Sequence, residues 1–492
     1  MCIRDSFNIV VIAIAAAAIG RLVSLPWAFV GGVGMGMAIA LVNTFLPRVA
    51  SGNAFVDAIQ KNLTPAIPFL VLFGVIVFVP AIRRSRETAD PLSGVDPPPA
   101  LLTGRLSGGR ELVSRVVPVV VATIALAVVF LRGDRTWTFQ VTQAVILAVI
   151  FLSITVITGF AGRISLCQGA FAAVGAFAAY QLVERAGISV LAAGLIGAVI
   201  AAALGALVSL PLRRLNGIWV AIATLAFAYF FDSVLLKLPI LGGTDSFSTT
   251  KVVRPKIGPW DFASDKSFLA LALVVLVVVA GAVTLIRRGT TGRTLTALRG
   301  SEVAAQSIGV SPGRAYLMAF SISAFIAGLG GAFLAMQQQN VNYGNNFSPF
   351  AAMFWLVIVV TIGVRSVEGA IVAAAAFSLF EAVVLKGAFL AWILRSSSRV
   401  PDFFPIDGKW VMVLFGLGTI QYARHPEGAL QASKQRAAAR AAKRADRKVA
   451  AELPAPTHQV ADLTVASAEA GRAPTGTTSD EAIHVGAQER KS

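Results

Sequence analysis

The sequence has few charged residues, few cysteines and few histidines, and each shortage excludes a class of protein. Only 14% of its 492 residues are charged, against roughly 25% in an average soluble protein. Cys2 and Cys167 lie in different segments, so the sequence predicts neither a disulfide framework nor a cysteine metal site. The three histidines, His425, His458 and His484, all lie near the C-terminal end. The apolar part of the chain therefore has no imidazole for metal binding or proton transfer.

The sequence contains many long apolar runs. Hydrophobic residues make up 56% of the chain, in runs of about 17–24 residues, the length at which a helix crosses a hydrocarbon core. The fold class predicted is all-α, a polytopic transmembrane helical bundle of about 13 spans, three before residue 87 and ten after residue 115. The net charge of +17 does not indicate nucleic-acid binding, because the basic residues lie beside the spans and in the tail. The predicted spans lie near 7–20, 25–44, 64–82, 116–131, 139–160, 168–183, 188–211, 216–239, 267–286, 315–336, 350–364, 367–385 and 409–423.

The runs divide the chain into segments. A polar stretch rich in proline and glycine at 87–115 is predicted to be a cytoplasmic linker. We expect 116–424 to form a complete transmembrane unit and 425–492 to form a basic and polar cytoplasmic tail, largely disordered. The first six residues, MCIRDS at 1–6, fit neither a signal peptide nor the following span, so we interpret them as a scar.

The segment at 7–86 repeats part of the second unit. VLFG occurs at 71–74 and again at 413–416, and AIGRLVSLPWAFVGG at 18–32 parallels TIGVRSVEGAIVAA at 361–374 at nearly the same offset. Two matches in register indicate a shared three-span unit. We therefore expect this segment to be the C-terminal part of a first, truncated unit, with several more spans encoded upstream.

A stretch dense in small residues, GFAGRISLCQGAFAAVGAFAAY, occupies 159–180. Small residues let helices approach closely in lipid, so one interpretation is packing alone. The other is that Gly162, Ser165, Gln168 and Gly169 break or line a helix that faces a translocation path, because polar groups at membrane depth must be satisfied by protein or water. The stretch has one charged side chain, that of Arg163, which we expect to reach water at the cytoplasmic end.

A basic segment, GRTLTALRGSEVAAQSIGVSPGR at 292–314, lies between two predicted spans. Ser301 is a candidate N-cap for a short helix over Glu302–Ile308, which Gly309 would end. A solvated loop that follows the positive-inside rule would explain the arginines but not the apolar face of this helix. The loop at 240–266 departs from that rule, because it has four basic residues although it is predicted to lie on the outer side of the membrane.

Four motifs occur in order along the chain: GFAGRISLCQGAFAAVGAF (159–177), LRRLNGIWVAIATLAFAYFFD (212–232), LGGTDSF (241–247) and the basic segment with its flanks (287–335). Together they resemble the branched-chain amino-acid ABC transporter permeases of the M type. Residues 116–430 are covered, and 7–86 resemble the C-terminal end of the partner H-type permease, as in a fusion of the two. Arg163 stands where the family usually has Gln, and Cys167-Gln168 where it often has Gly-His.

The resemblance implies a permease subunit of an ATP-driven importer for branched-chain or related amino acids in the bacterial inner membrane. The implied partners are two ABC ATP-binding subunits, an extracytoplasmic amino-acid-binding protein, a further permease chain and the lipid bilayer. The chain lacks a G-x-x-x-x-G-K-[ST] motif, so we expect no cofactor on this chain and no enzyme activity. ATP would be hydrolysed on the partner subunit.

The resemblance also implies roles for two groups of residues. Five residues match the family's loop that docks on the ATPase, where small alanines permit close seating and the charged pair is expected to bond across the interface: Arg299, Glu302, Ala304, Ala305 and Gly309. Four residues of the longest outside loop are candidate contacts for the binding protein, or part of an inert connector: Gly242, Gly243, Thr244 and Asp245.

Few acidic residues lie within the predicted spans. An intramembrane carboxylate is a functional candidate, and Asp232, near the outer end of its helix, is a candidate for the outer mouth of the path or for simple snorkelling. The alternative function is an ion- or proton-coupled carrier of small polar solutes. Asp232, Glu368 and Glu381 are scattered and have no buried His or Lys beside them, which argues against a proton relay. A membrane enzyme is a further alternative, for which the sequence offers no nucleophile–base pair.

Overall fold

The computed structural model describes residues 24–49, 133–213, 217–237, 261–339 and 347–380, with isolated positions in 13–20, 67–74, 130–131, 215 and 252–260. These residues form helices and one short β-hairpin, which confirms the helical membrane bundle. The helices are α1 (Leu25–Val49), α2 (Arg135–Ile154, continued by a π-helical turn, Thr155–Phe160), α3 (Gln168–Ala186), α4 (Val190–Leu212), α5 (Gly217–Ser233), α6 (Asp265–Arg288), α7 (Thr290–Gly300), α8 (Glu302–Ser307), α9 (Pro312–Gln338), α10 (Pro349–Gly363) and α11 (Val367–Phe380). The hairpin pairs β1 (Lys256–Ile257) with β2 (Trp260–Asp261) in antiparallel register.

Five described helices are long and apolar enough to cross a membrane, judged by length and composition: α1, α2, α4, α6 and α9. Their positions agree with five predicted spans, and the shorter apolar helices α5, α10 and α11 agree with three more. The predicted spans at 116–131 and 409–423 lie outside the described residues, except for position 130–131.

Local sequence explains where several helices begin. The Ser264 side chain caps α6 by accepting a hydrogen bond from the Ser267 backbone N–H, and Ser348 caps α10 in the same way. Helix α9 begins with Pro312 in its first turn, where a missing backbone N–H has no cost. The last turn of α6 has two arginines, which suit the negative end of the helix dipole.

The core consists of α2 and α9, packed against α3 and α4. The most apolar 18-residue windows of α2 and α9 are 89% and 72% buried, whereas those of α4 and α6 are 33% and 28% buried. Close approach depends on glycine: a Cβ built on Gly175 of α3 would overlap the carbonyl oxygen of Gly328 in α9. Helices α4 and α6 therefore expose many apolar side chains, as expected for helices that contact lipid.

Helices α2 and α9 run antiparallel, and this defines two ends of the bundle. Residues 159–167 and 287–314 lie together at one end, which we call the basic end, because Arg299 of α7 contacts Gly159 after α2. The start of α2 lies beside the end of α9 at the other end, since Gln337 bonds to the carbonyl oxygen of Phe139. We call this second end, which also holds the hairpin, the hairpin end.

Candidate functional site

The stretch of small residues at the basic end breaks the chain between two helices, as one interpretation of the sequence predicted. The π-helical turn after α2 ends at Phe160, residues 161–167 are not helical, and α3 begins at Gln168. Gly162 has φ +70, a left-handed conformation that favours glycine. A Cβ built there would lie 2.8 Å from Cγ of Arg299. We call residues 161–167 the helix break.

The polar groups of the helix break find partners within the protein. The Leu166 backbone N–H donates to Oγ1 of Thr224 in α5 at 3.1 Å, and the Arg163 N–H donates to the carbonyl oxygen of Ile157 at 3.2 Å. Ser165 is 1% exposed, and its Oγ lies 3.3 Å from Sγ of Cys167. Irregular backbone is tolerated at membrane depth under these conditions.

A buried polar cluster adjoins the break and joins three helices. Nε2 of Gln168 in α3 donates to Oγ of Ser323 in α9 at 3.0 Å, and Oγ of Ser153 in α2 donates to Oε1 of Gln168 at 3.0 Å. Ser323 in turn donates to the carbonyl oxygen of Ser153 at 2.8 Å. The three side chains are at most 1% exposed, so in this structure Gln168 contacts protein. Ser153 and Ser323 each lie in a span with other hydroxyl side chains, and their sequence positions give no signal that these two meet.

Two other candidates for the translocation path lie apart from this cluster. A Cβ on Gly169 would lie 2.9 Å from the carbonyl oxygen of Phe347 and 3.0 Å from Cβ of Ala352, which favours a packing role beside α10. Asp232 is buried, at 7% exposed, near the end of α5. It lies eight residues beyond Thr224, or about 12 Å along a helix, so the structure does not place it with Gln168.

The expectation that Arg163 reaches water is wrong. The residue is 7% exposed, and its NH1 donates to the carbonyl oxygen of Leu215 at 2.5 Å. Its NH2 pairs with Oε2 of Glu302 at 3.3 Å, and the guanidinium carbon lies 4.2 Å from the ring centroid of Tyr316. A carboxylate, a carbonyl and an aromatic face together stabilise a charge that would otherwise be costly to bury.

The basic segment forms two short helices, α7 and α8. Oγ of Ser301 accepts a hydrogen bond from the Ala304 backbone N–H at 3.2 Å, and Gly309 has φ +85. The predicted helix, N-cap and terminating glycine are therefore present, with α8 ending at Ser307. Helix α7, which precedes Ser301, contacts the π-helical turn just before the helix break, because NH1 of Arg299 donates to the carbonyl oxygen of Gly159 at 2.5 Å.

The expected contacts of the coupling residues with an ATPase stay predictions, and the structure shows their contacts within the chain. Arg299 bonds to Gly159, and Glu302 bonds to Arg163 of the helix break. Ala305 is 2% exposed and is therefore buried against its own chain. The large apolar side chains that α8 and its end expose are Val303, at 79%, and Ile308, at 73%.

A second group of charges lies at the hairpin end. NH1 of Arg254 pairs with Oδ1 of Asp265 at 2.7 Å and donates to the carbonyl oxygen of Ala263 at 2.7 Å. Its guanidinium carbon lies 5.2 Å from the ring centroid of Phe268. Oδ2 of Asp265 pairs with Nε of Arg135 at 3.2 Å. Arg254 belongs to the loop that departs from the positive-inside rule, and these partners explain one of its basic residues.

The hairpin beside this group is held by a smaller set of polar contacts. The Ala263 backbone N–H donates to Oδ1 of Asp261 at 2.9 Å, and Lys256 pairs with Oδ2 at 3.4 Å. The hydrogen bond from Ala263, together with Lys256, holds the pKa of the Asp261 carboxyl below its usual value. The candidate contacts for a binding protein, Gly242, Gly243, Thr244 and Asp245, lie outside the described residues.

Comparison with known proteins finds one matching family and two similar curated proteins. The model of the family described as "Branched-chain amino acid transport system / permease component" matches residues 138–417. The high-affinity branched-chain amino acid transport system permease protein LivM of Escherichia coli (strain K12) is 33% identical over 257 residues. The protein of the same name in Salmonella typhimurium (strain LT2) is 32% identical over 257 residues. Each match covers 47% of this chain and 60% of the relative, so the chain spans less than two thirds of the relatives' length. No solved structure matches.

Proposed function

Because the chain belongs to the permease-component family of branched-chain amino-acid transport systems, we propose that it is the transmembrane subunit of an ATP-driven importer of branched-chain or related amino acids. In this proposal two separate ATP-binding subunits dock on the basic end, which faces the cytoplasm with the C-terminal tail. An extracytoplasmic amino-acid-binding protein delivers the substrate at the opposite, hairpin end. A further permease chain would complete the membrane part.

The exposed apolar face of the basic end supports docking there. Val303 on α8 and Ile308 just after it are 79% and 73% exposed, whereas Ala305 between them is buried. Arg293 and Arg314, in the same segment between α6 and α9, are exposed as well. Exposed large apolar side chains with polar and charged neighbours are typical of a surface that a protein partner covers.

The observation that carries the proposal is that α7 and α8 contact the helix break and the turn just before it. Arg299 of α7 bonds to the carbonyl oxygen of Gly159 in that turn, and Glu302 of α8 bonds to Arg163 within the break. The break itself lacks the regular hydrogen bonds of a helix, so it yields more readily than its flanks. A partner that moves α8 would therefore displace the break, and with it the start of α3.

The cluster at the start of α3 fits a zwitterionic substrate. Ser153, Gln168 and Ser323 offer neutral donors and acceptors, which satisfy one another in this structure. A fixed charge in the path would bind one end of an amino acid strongly and slow its release. Displacement of α3 would free these neutral groups for weak, reversible contacts with the substrate.

The test of this function is uptake by the chain reconstituted in vesicles with the ATP-binding subunits and the binding protein encoded beside its gene. We expect radiolabelled leucine to accumulate only with ATP on the side of the basic end, and an uncoupler to have no effect. Accumulation that proceeds without ATP and stops with the uncoupler would contradict the proposal and favour the ion-coupled carrier.

The docking step has its own test. Val303→Asp places a charge on the exposed apolar face and should reduce co-purification of the ATP-binding subunits at least tenfold, with the permease still folded. Val303→Ala keeps the face apolar and is the matched control, expected to bind normally. Equal recovery with both variants would show that α8 is not the docking surface.

A further inference from the structure

A cavity at the hairpin end lies among side chains of opposite charge. Its volume is about 360 Å³, within the range of small-molecule sites. It lies between the start of α2, the start of α6 and the end of α9. The side chains that line it include Arg135, Thr136, Phe139, Arg254, Asp265 and Gln337.

Two of these side chains each leave one polar atom without a partner. Within the part of the chain that the structure describes, Nε of Arg254 and Oε1 of Gln337 are buried and have no hydrogen bond. The two residues are 9% and 2% exposed. Buried polar atoms are nearly always satisfied, and each exception requires an explanation. One of these atoms is a donor on a cation, and the other is a neutral acceptor.

The other contacts of both side chains fix where these atoms lie. Arg254 uses its NH1 for Asp265 and for the carbonyl oxygen of Ala263, so its Nε is left for a further acceptor. Gln337 uses its Nε2 for the carbonyl oxygen of Phe139 at 2.8 Å, so its Oε1 is left for a further donor. The residues are therefore held in place independently of any ligand.

The charges of the cavity favour a ligand with a carboxylate. Asp265 is the one carboxylate among its lining residues and lies between two guanidinium groups, those of Arg254 and Arg135. An arginine already bonded through NH1 can still bond a second carboxylate through its Nε edge. A ligand that brings an ammonium group as well would satisfy Gln337 and lie within the field of Asp265.

We propose that this cavity binds a free α-amino acid, with its carboxylate on Nε of Arg254 and its ammonium group on Oε1 of Gln337. The ring of Phe139 supplies an apolar surface for an aliphatic side chain. The inference rests on the proposed import function, in which the substrate enters the bundle from the hairpin end. The cavity is then the first contact of the substrate with the permease after its release from the binding protein.

The test is equilibrium binding to the purified full-length chain in lipid nanodiscs, without ATP, ATP-binding subunits or binding protein. The ligands are L-leucine, 4-methylpentanoate, which lacks the amino group, and isopentylamine, which lacks the carboxylate. We expect saturable binding of leucine and at least tenfold weaker binding of each analogue. The absence of saturable leucine binding, or equal binding of the carboxylate alone, would overturn the proposal.

Two variants and a control place the binding in this cavity. Arg254→Lys keeps the charge beside Asp265 but removes the second donor, and Gln337→Met removes the acceptor while keeping similar volume. Each should weaken leucine binding at least tenfold, with thermal unfolding used to show that the variant is folded. Thr284→Val, in α6 but outside the lining, should change the affinity less than twofold. Unchanged affinity in both folded variants would overturn the assignment, whereas ATP-driven uptake could still proceed and leave the import function standing.

Discussion

The two ends of the bundle each contain a buried arginine with the same three kinds of neighbour. At the basic end, Arg163 contacts the carboxylate of Glu302, the carbonyl of Leu215 and the ring of Tyr316. At the hairpin end, Arg254 contacts the carboxylate of Asp265, the carbonyl of Ala263 and the ring of Phe268. The two sites differ in whether a buried polar atom of the arginine lacks a hydrogen-bond partner. Nε of Arg254 has no partner, whereas no such buried atom occurs on Arg163 within the described residues.

This difference indicates that Arg163 connects segments of the fold, whereas Arg254 is suited to bind a ligand. Arg163 joins segments that are far apart in sequence, since Glu302 is 139 residues away and Leu215 is 52 residues away. The polar partners of Arg254, Ala263 and Asp265, lie close to it in sequence. These contacts therefore do not join distant segments of the fold. An arginine whose donors are used by distant segments fixes their relative positions. One that keeps a free donor beside a cavity is suited to a ligand.

The largest effect is expected when the connecting arginine is removed. Arg163→Ala leaves Glu302 without its partner and the Leu215 carbonyl without a donor. Because Glu302 is about a third exposed, we expect a loss of about 2 kcal/mol, less than for a fully buried pair, and leucine uptake at least tenfold lower. Thermal unfolding and vesicle uptake measure the two effects.

The matched control for this variant is Arg163→Gln. Glutamine keeps a donor for Leu215 or Glu302, so uptake should fall only about threefold, a loss well under 1 kcal/mol. If Arg163→Ala were as stable and active as the wild type, the buried arginine would not connect the helix break to α8.

A smaller effect is expected from enlarging the buried side of α8. Ala305 is 2% exposed, so Ala305→Trp should strain its packing and destabilise the chain by about 1–3 kcal/mol. Ala304 lies one position earlier and is exposed, so Ala304→Trp should leave the melting temperature unchanged and interfere only with docking. Equal melting temperatures for the two variants would show that Ala305 does not face the bundle.

The smallest effect is expected at the exposed arginine of the hairpin end. The Arg135 side chain is 91% exposed, although it pairs with Asp265. Exposed ion pairs contribute little, so Arg135→Gln should change stability by less than about 1 kcal/mol. The measurement is thermal unfolding at low and high salt, where any loss should disappear at high salt. A large loss independent of salt would mean that Arg135, and not Arg254, holds Asp265.

Hydropathy and helix capping predicted much of the fold and little of the site's contacts. The described spans and the N-cap at Ser301 were predicted correctly, because apolar run length and capping residues act locally. Arg163 was misplaced because its partners lie in other segments, and sequence spacing does not show which segments meet. A helix of one and a half turns such as α8 has too few residues to define a buried face. The exposure of Val303 and the burial of Ala305 therefore could not be predicted from the sequence.

The assignment of Arg254 to a site needed the structure for a related reason. In the sequence it is one of several basic residues in a loop, and nothing distinguishes it from its neighbours. Its significance lies in an unpartnered nitrogen atom and a cavity, which exist only after α2, α6 and α9 have come together. Family membership, by contrast, followed from motif order along the chain, which does not depend on packing.

The central claim is that the docking surface and the helix break act as one unit through Arg163 and Glu302, and a double-mutant cycle tests it most directly. The measurement is the ATPase rate of the reconstituted transporter, stimulated by the leucine-loaded binding protein, for Arg163→Gln, Glu302→Gln and the combined variant. If the two residues act through one contact, each single variant should lower the rate about threefold and the combined variant should be no slower than the slower of the two. A combined loss equal to the product of the single losses would show that the residues act independently and would contradict the account.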